Sequence, residues 1–137
     1  MRAIRAQIKE VHLLFNNAVL NTNMVVDLKK YRIRIFKPAL DQIGSPAYVQ
    51  LLVNPQSMAV AVKSDTCRSI GNQTHKLSEA NMKSDNYVEL YSKAFVTKLA
   101  SVVNDVSDGH SYRIAGRVLP EERMILFSLK EIVPLES

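Results

Sequence analysis

The chain of 137 residues contains one cysteine, no tryptophan and only four glycines. The single cysteine, Cys67, excludes an internal disulfide and a zinc site built from several cysteines, and it suits a reducing compartment. No apolar run approaches the roughly 20 residues of a membrane-spanning helix, and the first residues lack the uninterrupted apolar core of a secretory signal. We therefore expect a cytoplasmic protein with no membrane span.

Motifs for catalysis or ligand binding are scarce as well. The three histidines, His12, His75 and His110, are too far apart in sequence to suggest a metal site. Residues 69–72 lack the glycine spacing and the lysine of a phosphate-binding loop. Residues 108–111 join an acid, a histidine and a hydroxyl, but such a run after a helix is typical of a turn. We expect no enzymatic activity, no catalytic residue, no metal site and no cofactor.

Positive charge is concentrated at the start of the chain. Residues 1–37 contain eight Lys or Arg and two acidic residues, a net charge of +6, whereas the remainder contains ten and eleven. Because a localised basic surface attracts polyanions, a polyanion is the first partner to consider.

Large apolar residues recur at helical spacing near the N-terminus. They are Ile4, Ile8, Val11, Phe15 and Val19. This stripe predicts an amphipathic helix that ends at residues 21–23. We expect residues 1–23 to form an N-terminal helix or extension, and residues 24–137 to form a single α+β domain. The helix packs on the domain or on a partner subunit in this interpretation; a membrane-surface or targeting helix and a mobile tail are the alternatives.

Two hairpins and an early strand are predicted in the rest of the chain. Residues 48–53 and 58–63 alternate apolar and polar side chains around a turn that contains Asn and Pro, and residues 112–119 and 124–133 form a second pair. Residues 24–36 predict an early strand or strand pair. The helical stripe near residues 91–106 predicts a helix that covers one face of the sheet. The expected fold class is α+β, with an antiparallel or mixed sheet.

The early strand places cations on one face. Because strand side chains alternate, Lys30, Arg32, Arg34 and Phe36 fall on the face opposite the one that contains Ile33. Such a basic strand with an aromatic ring in line is suited to phosphates and stacked bases. The candidate nucleic-acid or anion-binding residues are Lys29, Lys30, Arg32, Arg34, Phe36, Lys37, Arg113 and Arg117.

One stretch resembles a known family. Residues 31–40, the pair Ile43-Gly44 and the hairpin at 48–63 follow the strand, Pro-led turn, Leu-Gly and hairpin order of AbrB-type swapped-hairpin DNA-binding domains, over about a quarter of the chain. The glycine before the first strand and the Gly-Asp before the hairpin, usual in that family, are absent. The resemblance implies binding to DNA.

We therefore expect a small non-enzymatic nucleic-acid-binding or regulatory module that forms a homo-oligomer and binds DNA or RNA through the basic strand face. The alternative is an oligomeric accessory or inhibitor protein of a phage or other mobile element, which binds a protein partner or an anionic small ligand.

Overall fold

A computed structural model describes residues 21–65, 74–83, 86–103, 106 and 110–135. Eight strands and two α-helices make up most of this part of the chain. In order they are β1 (Asn21–Asp27), β2 (Arg32–Phe36), α1 (Lys37–Gln42), β3 (Tyr48–Asn54), β4 (Ala59–Asp65), β5 (Thr74–Lys76), β6 (Tyr87–Tyr91), α2 (Lys93–Val102), β7 (Ser111–Leu119) and β8 (Met124–Pro134). Short 3₁₀ turns at Glu79–Asn81 and Pro120–Glu122 precede β6 and β8.

All eight strands belong to one antiparallel sheet. Their order across the sheet is β5-β3-β4-β8-β7-β1-β2-β6. The sheet curls into a near-barrel, and α2, which follows one edge strand, packs against β3 close to the other edge. The expected α+β class with an antiparallel sheet agrees with this architecture, although strands dominate it.

The inner surface of the curled sheet holds the core. Alternate residues of each long strand are fully buried, as at Met24 and Val26 in β1 and at Val60 and Val62 in β4. Phe95, Val96 and Leu99 of α2 complete one continuous cluster. Because successive strand residues point to opposite faces, the same alternation leaves a second set of side chains on the outer surface.

Both predicted hairpins are confirmed, as β3–β4 and β7–β8. The turn of the β3–β4 hairpin is formed by Asn54. Its Oδ1 accepts hydrogen bonds from the backbone N–H groups of Gln56 (3.0 Å) and Ser57 (3.2 Å), which is a common asparagine turn. Residues 24–36 form a strand pair, and the first strand already begins at Asn21.

The predicted helix near 91–106 is shorter than expected. It covers Lys93–Val102, with the Ser92 Oγ accepting a hydrogen bond from the Phe95 N–H (3.1 Å) as its N-cap. The apolar residues just before it belong to edge strand β6, which pairs with β2. The helix predicted within residues 1–23 lies outside the described residues up to residue 20, and residues 21–23 belong to β1.

The strands of the AbrB-like stretch do not form one local unit. In the sheet, β2 is separated from the β3–β4 hairpin by β8, β7 and β1. The order of these elements along the chain therefore resembles that of the family, but in the sheet β2 does not lie beside the β3–β4 hairpin.

Gly116 in β7 is required by the packing of Phe127. A Cβ built at Gly116 would lie 2.5 Å from Phe127 Cδ2 and 2.6 Å from the Leu126 carbonyl oxygen. We expect Gly116→Ala to lower the free energy of unfolding by about 1–3 kcal/mol, because the overpacked ring and backbone must shift. Urea denaturation measures the change. The neighbouring control Ala115→Ser should change stability by less than about 0.5 kcal/mol, and equal effects of the two substitutions would contradict this account.

Candidate nucleic-acid interface

The outer surface of β7, β1, β2 and β6 carries the predicted basic residues. In this region Val25 lies opposite both Arg34 and Arg113 on the neighbouring strands, and Asp27 lies opposite Arg32. Arg34 in turn lies opposite Glu89 of β6. The side chains of four neighbouring strands therefore meet on one surface, which we call the charged face.

Glu89 is the most buried charged group on the charged face. Its side chain is only 7% exposed although it points outward. Its Oε2 accepts a hydrogen bond from the Arg34 Nε at 2.9 Å, its Oε1 accepts one from the Tyr91 hydroxyl at 3.3 Å, and the Arg32 Nε lies 3.8 Å away. The carboxylate thus joins β2 to β6 through side chains as well as through the backbone.

The arginines also determine the ionisation of this carboxyl group. Burial alone would raise the pKa of Glu89, but the hydrogen bond and charge of Arg34, aided by Tyr91 and Arg32, outweigh it and hold the pKa below its usual range. Glu89 is therefore ionised at neutral pH, and its negative charge offsets part of the positive charge of β2.

Asp27 engages the second arginine and shapes the adjacent turn. Its Oδ2 accepts a hydrogen bond from Arg32 Nη2 at 3.0 Å. Its Oδ1 accepts hydrogen bonds from the backbone N–H groups of Lys29 (2.9 Å) and Lys30 (3.1 Å), which fixes the β1–β2 turn. The turn presents both lysine side chains to solvent.

Arg34 has a further contact with an aromatic ring. Its guanidinium carbon lies 5.0 Å from the centre of the Tyr87 ring, within the range of a cation–π interaction. Arg32 and Arg34 are consequently held between two carboxylates and a ring. The sequence predicted them as phosphate contacts; in the structure they form intramolecular ion pairs at the surface, with side chains that are 21% and 36% exposed.

Two other predicted arginines lie on the same face without such partners. Arg113 and Arg117 point outward from β7, are exposed, and make no ion pair within the part of the chain that the structure describes. Arg113 is two strands from Arg34, roughly 10 Å at the usual strand spacing. Their shared face was predicted from sequence and is confirmed.

The remaining predicted residues lie at the margins of this surface. Phe36 ends β2 and is 40% exposed. Lys37 begins α1, where its Nζ lies 3.3 Å from the Asp41 carboxylate, so it belongs to a helix-surface ion pair. Lys30 lies in the turn and not on the strand face where the alternation placed it.

Sequence reasoning missed the aromatic residues that accompany these cations. Tyr91 is 56% exposed at the end of β6, and Tyr31 is 36% exposed in the β1–β2 turn, with Lys93 Nζ 5.7 Å from its ring centre. The pairing of β2 with β6 brings Tyr91 beside Arg32 and Tyr87 beside Phe36. Tyr91 was missed because the sequence placed it in the helical stripe that begins near residue 91, and no strand was predicted just before that stripe.

Neither a metal-binding cluster nor a membrane-spanning helix is present among the described residues. Among those residues there is no cluster of three or more His, Cys, Asp or Glu side chains that could hold a metal ion, and no helix is long and apolar enough to cross a membrane. His110 is exposed, and residues 107–109 beside it lie outside the described residues.

Comparison with protein-family models, curated proteins and solved structures gave no match to this chain.

Substitution of the buried carboxylate tests the ion-pair network. We expect Glu89→Gln to lower the free energy of unfolding at neutral pH by about 1.5–3 kcal/mol, because hydrogen bonds to charged groups are replaced by weaker ones. The folded-state pKa of Glu89 is depressed, so its stabilisation is complete above the ordinary glutamate pKa and is lost as the pH falls through the folded-state pKa. Denaturation of Glu89→Gln from pH 6 to 3 should therefore show a smaller loss of stability than the wild type.

The control for this experiment is Glu131→Gln, which neutralises an exposed glutamate of β8. It should retain the wild-type pH profile. An equally steep acid loss in Glu89→Gln would show that Glu89 does not contribute as described.

Proposed function

We propose that this protein binds nucleic acid through the charged face, with a preference for single strands. The observation that carries the proposal is the placement of exposed aromatic rings beside arginines on the outer surface of one antiparallel sheet. Single-stranded nucleic acids bind to proteins that combine positive charge along the backbone path with aromatic rings on which bases stack.

The proposed phosphate contacts are cations whose side chains form no ion pair among the residues that the structure describes. Arg113 and Arg117 on β7, together with Lys29 and Lys30 in the β1–β2 turn, flank the ion-pair network from two sides. Arg32 and Arg34 have a different part in this proposal, since Asp27 and Glu89 hold them in place. They shape the surface and contribute little net charge, because an ion pair attracts a phosphate less than a lone guanidinium does.

The exposed aromatic rings are the proposed stacking partners of the bases. Tyr91 is the most exposed large hydrophobic side chain in the described part of the chain, and Phe36 lies on the neighbouring strand of the same surface. The Glu89 carboxylate hydrogen-bonds the Tyr91 hydroxyl, so it restrains a ring that a base would otherwise have to order on binding. A restrained ring loses less side-chain entropy when a base stacks on it.

The salt dependence of binding identifies the phosphate contacts. Four lone cations should give a log–log slope of about −3 for a labelled single-stranded oligonucleotide, at roughly 0.7 per contact. Arg113→Ala/Arg117→Ala should reduce the magnitude of this slope by about 1.4 and leave stability nearly unchanged, because both side chains are exposed. Fluorescence anisotropy between about 50 and 200 mM salt measures the slope.

A charge-matched control is Lys76→Ala/Lys98→Ala, which removes two exposed cations from β5 and α2. It should lower the magnitude of the slope much less than the arginine pair does. Equal slopes for the two double variants would show that only overall charge matters. The absence of binding at the lowest salt would overturn the proposal and favour the alternative of a protein or anionic small-ligand partner.

Replacement of Tyr91 separates stacking from electrostatics. We expect Tyr91→Ala to weaken single-strand binding by about 1–3 kcal/mol while the salt slope stays the same, because stacking releases no counterions. Tyr91→Phe keeps the ring and should retain most of the affinity, although it loses the hydrogen bond to Glu89. Equal losses in the two variants, measured by the same anisotropy titration, would assign the effect to the hydroxyl group and contradict stacking.

A further inference from the structure

The other half of the outer surface is apolar. Side chains that point outward from β4, β7 and β8 are mostly small or aliphatic, and they line two adjoining concavities of about 560 and 470 Å³. The two concavities share Ser57, Ala59 and Leu126. We call this continuous depression the outer groove; its floor is formed by Ala59, Ala61, Ala115, Gly116, Met124 and Leu126.

Several small residues line the groove. Ala61 lies opposite Leu126, and Ala59 lies opposite Ser128, so one member of each cross-strand pair is a methyl group. Gly116 on the next strand contributes only backbone to the groove, because a Cβ there would point inward to Phe127. The outward face of an antiparallel sheet is usually polar, so an apolar concavity on it is a candidate docking surface.

The chain itself supplies a segment at the edge of this groove. Asn21, the first described residue and the first residue of β1, lines the larger concavity together with Arg117. The twenty residues that precede it carry the five-residue apolar stripe from Ile4 to Val19. We propose that residues 1–20 of the same molecule dock in the outer groove through this stripe.

A helix formed by the stripe would be long enough to cross the whole groove, and few charged residues line the groove. A helix from residue 4 to residue 19 would be about 24 Å long at 1.5 Å per residue, and the four strands β7, β8, β4 and β3 together span roughly 15 Å. Lys63, Arg117 and Glu131 are the charged residues that line the groove. The stripe therefore meets a mainly apolar surface, and the polar side of such a helix, with Arg2 and Arg5, stays in water.

Cysteine cross-linking in the full-length protein tests this docking. In a Cys67→Ser background, Val11→Cys on the stripe is combined with Ala59→Cys in the groove and oxidised at low protein concentration. We expect an internal disulfide in a monomeric species, detected by mass spectrometry after digestion. The matched control combines Val11→Cys with Thr97→Cys, an exposed position on α2, and should form the internal disulfide at least tenfold more slowly.

Other outcomes would overturn the proposal. A disulfide-linked dimer as the main product would assign the groove to a second copy of the chain, and equal rates for Ala59→Cys and Thr97→Cys would show no preferred docking.

Hydrogen exchange gives an independent measurement without cysteines. Ala59→Asp should speed amide exchange within residues 1–20 at least several-fold, whereas Ala80→Asp, an exposed alanine elsewhere, should not; unchanged exchange in Ala59→Asp would also contradict docking. The groove shares Arg117 with the proposed nucleic-acid surface, but neither the cross-linking nor the exchange measurement requires nucleic acid to bind.

Discussion

The architecture depends on one constraint, which is that a large apolar sheet face has to be buried with little help from helices. Seven of the eight strands contribute buried apolar side chains, whereas α1 and α2 contribute five such residues between them. Because two short helices cannot cover eight strands, the sheet buries its inner face against itself by curling. The helices close the gap near the edges. Both surfaces proposed for recognition lie on the outside of the near-barrel.

The outer surface divides into two parts with different physical character. On β1, β2 and β6, buried Glu89 draws two arginines and a tyrosine into a compact network, and lone cations and exposed rings surround it. On β4, β7 and β8, small apolar side chains leave a groove. Arg117 and Asn21 lie where the two parts meet. The charged part favours a polyanion, and the apolar part favours an amphipathic segment, so the two proposals rest on separate observations.

Sequence patterns predicted the elements whose determinants are local. The β3–β4 hairpin followed from period-two alternation and from Asn54 in its turn. Strand β6 was not predicted because Tyr91, its last residue, also fits the helical stripe, and only the free edge of β2 decides between the two. The candidate site was predicted in part. Arg113 and Arg117 were placed correctly on one face, but the partner of Arg34 is Glu89, 55 residues away, and no local pattern indicates a contact of that range.

Glu89 holds Arg34 and Asp27 holds Arg32, which leaves the cations of β7 and of the β1–β2 turn as the proposed phosphate contacts. Hydrogen exchange of the arginine Nε–H groups, followed by NMR on ¹⁵N-arginine-labelled protein, tests it most directly, because exchange requires the hydrogen bond to open. We expect a slowly exchanging Arg34 Nε–H that becomes fast in Glu89→Gln, and fast exchange for Arg113 and Arg117 in both proteins. Equal exchange rates for Arg34 and Arg113 in the wild type would contradict it.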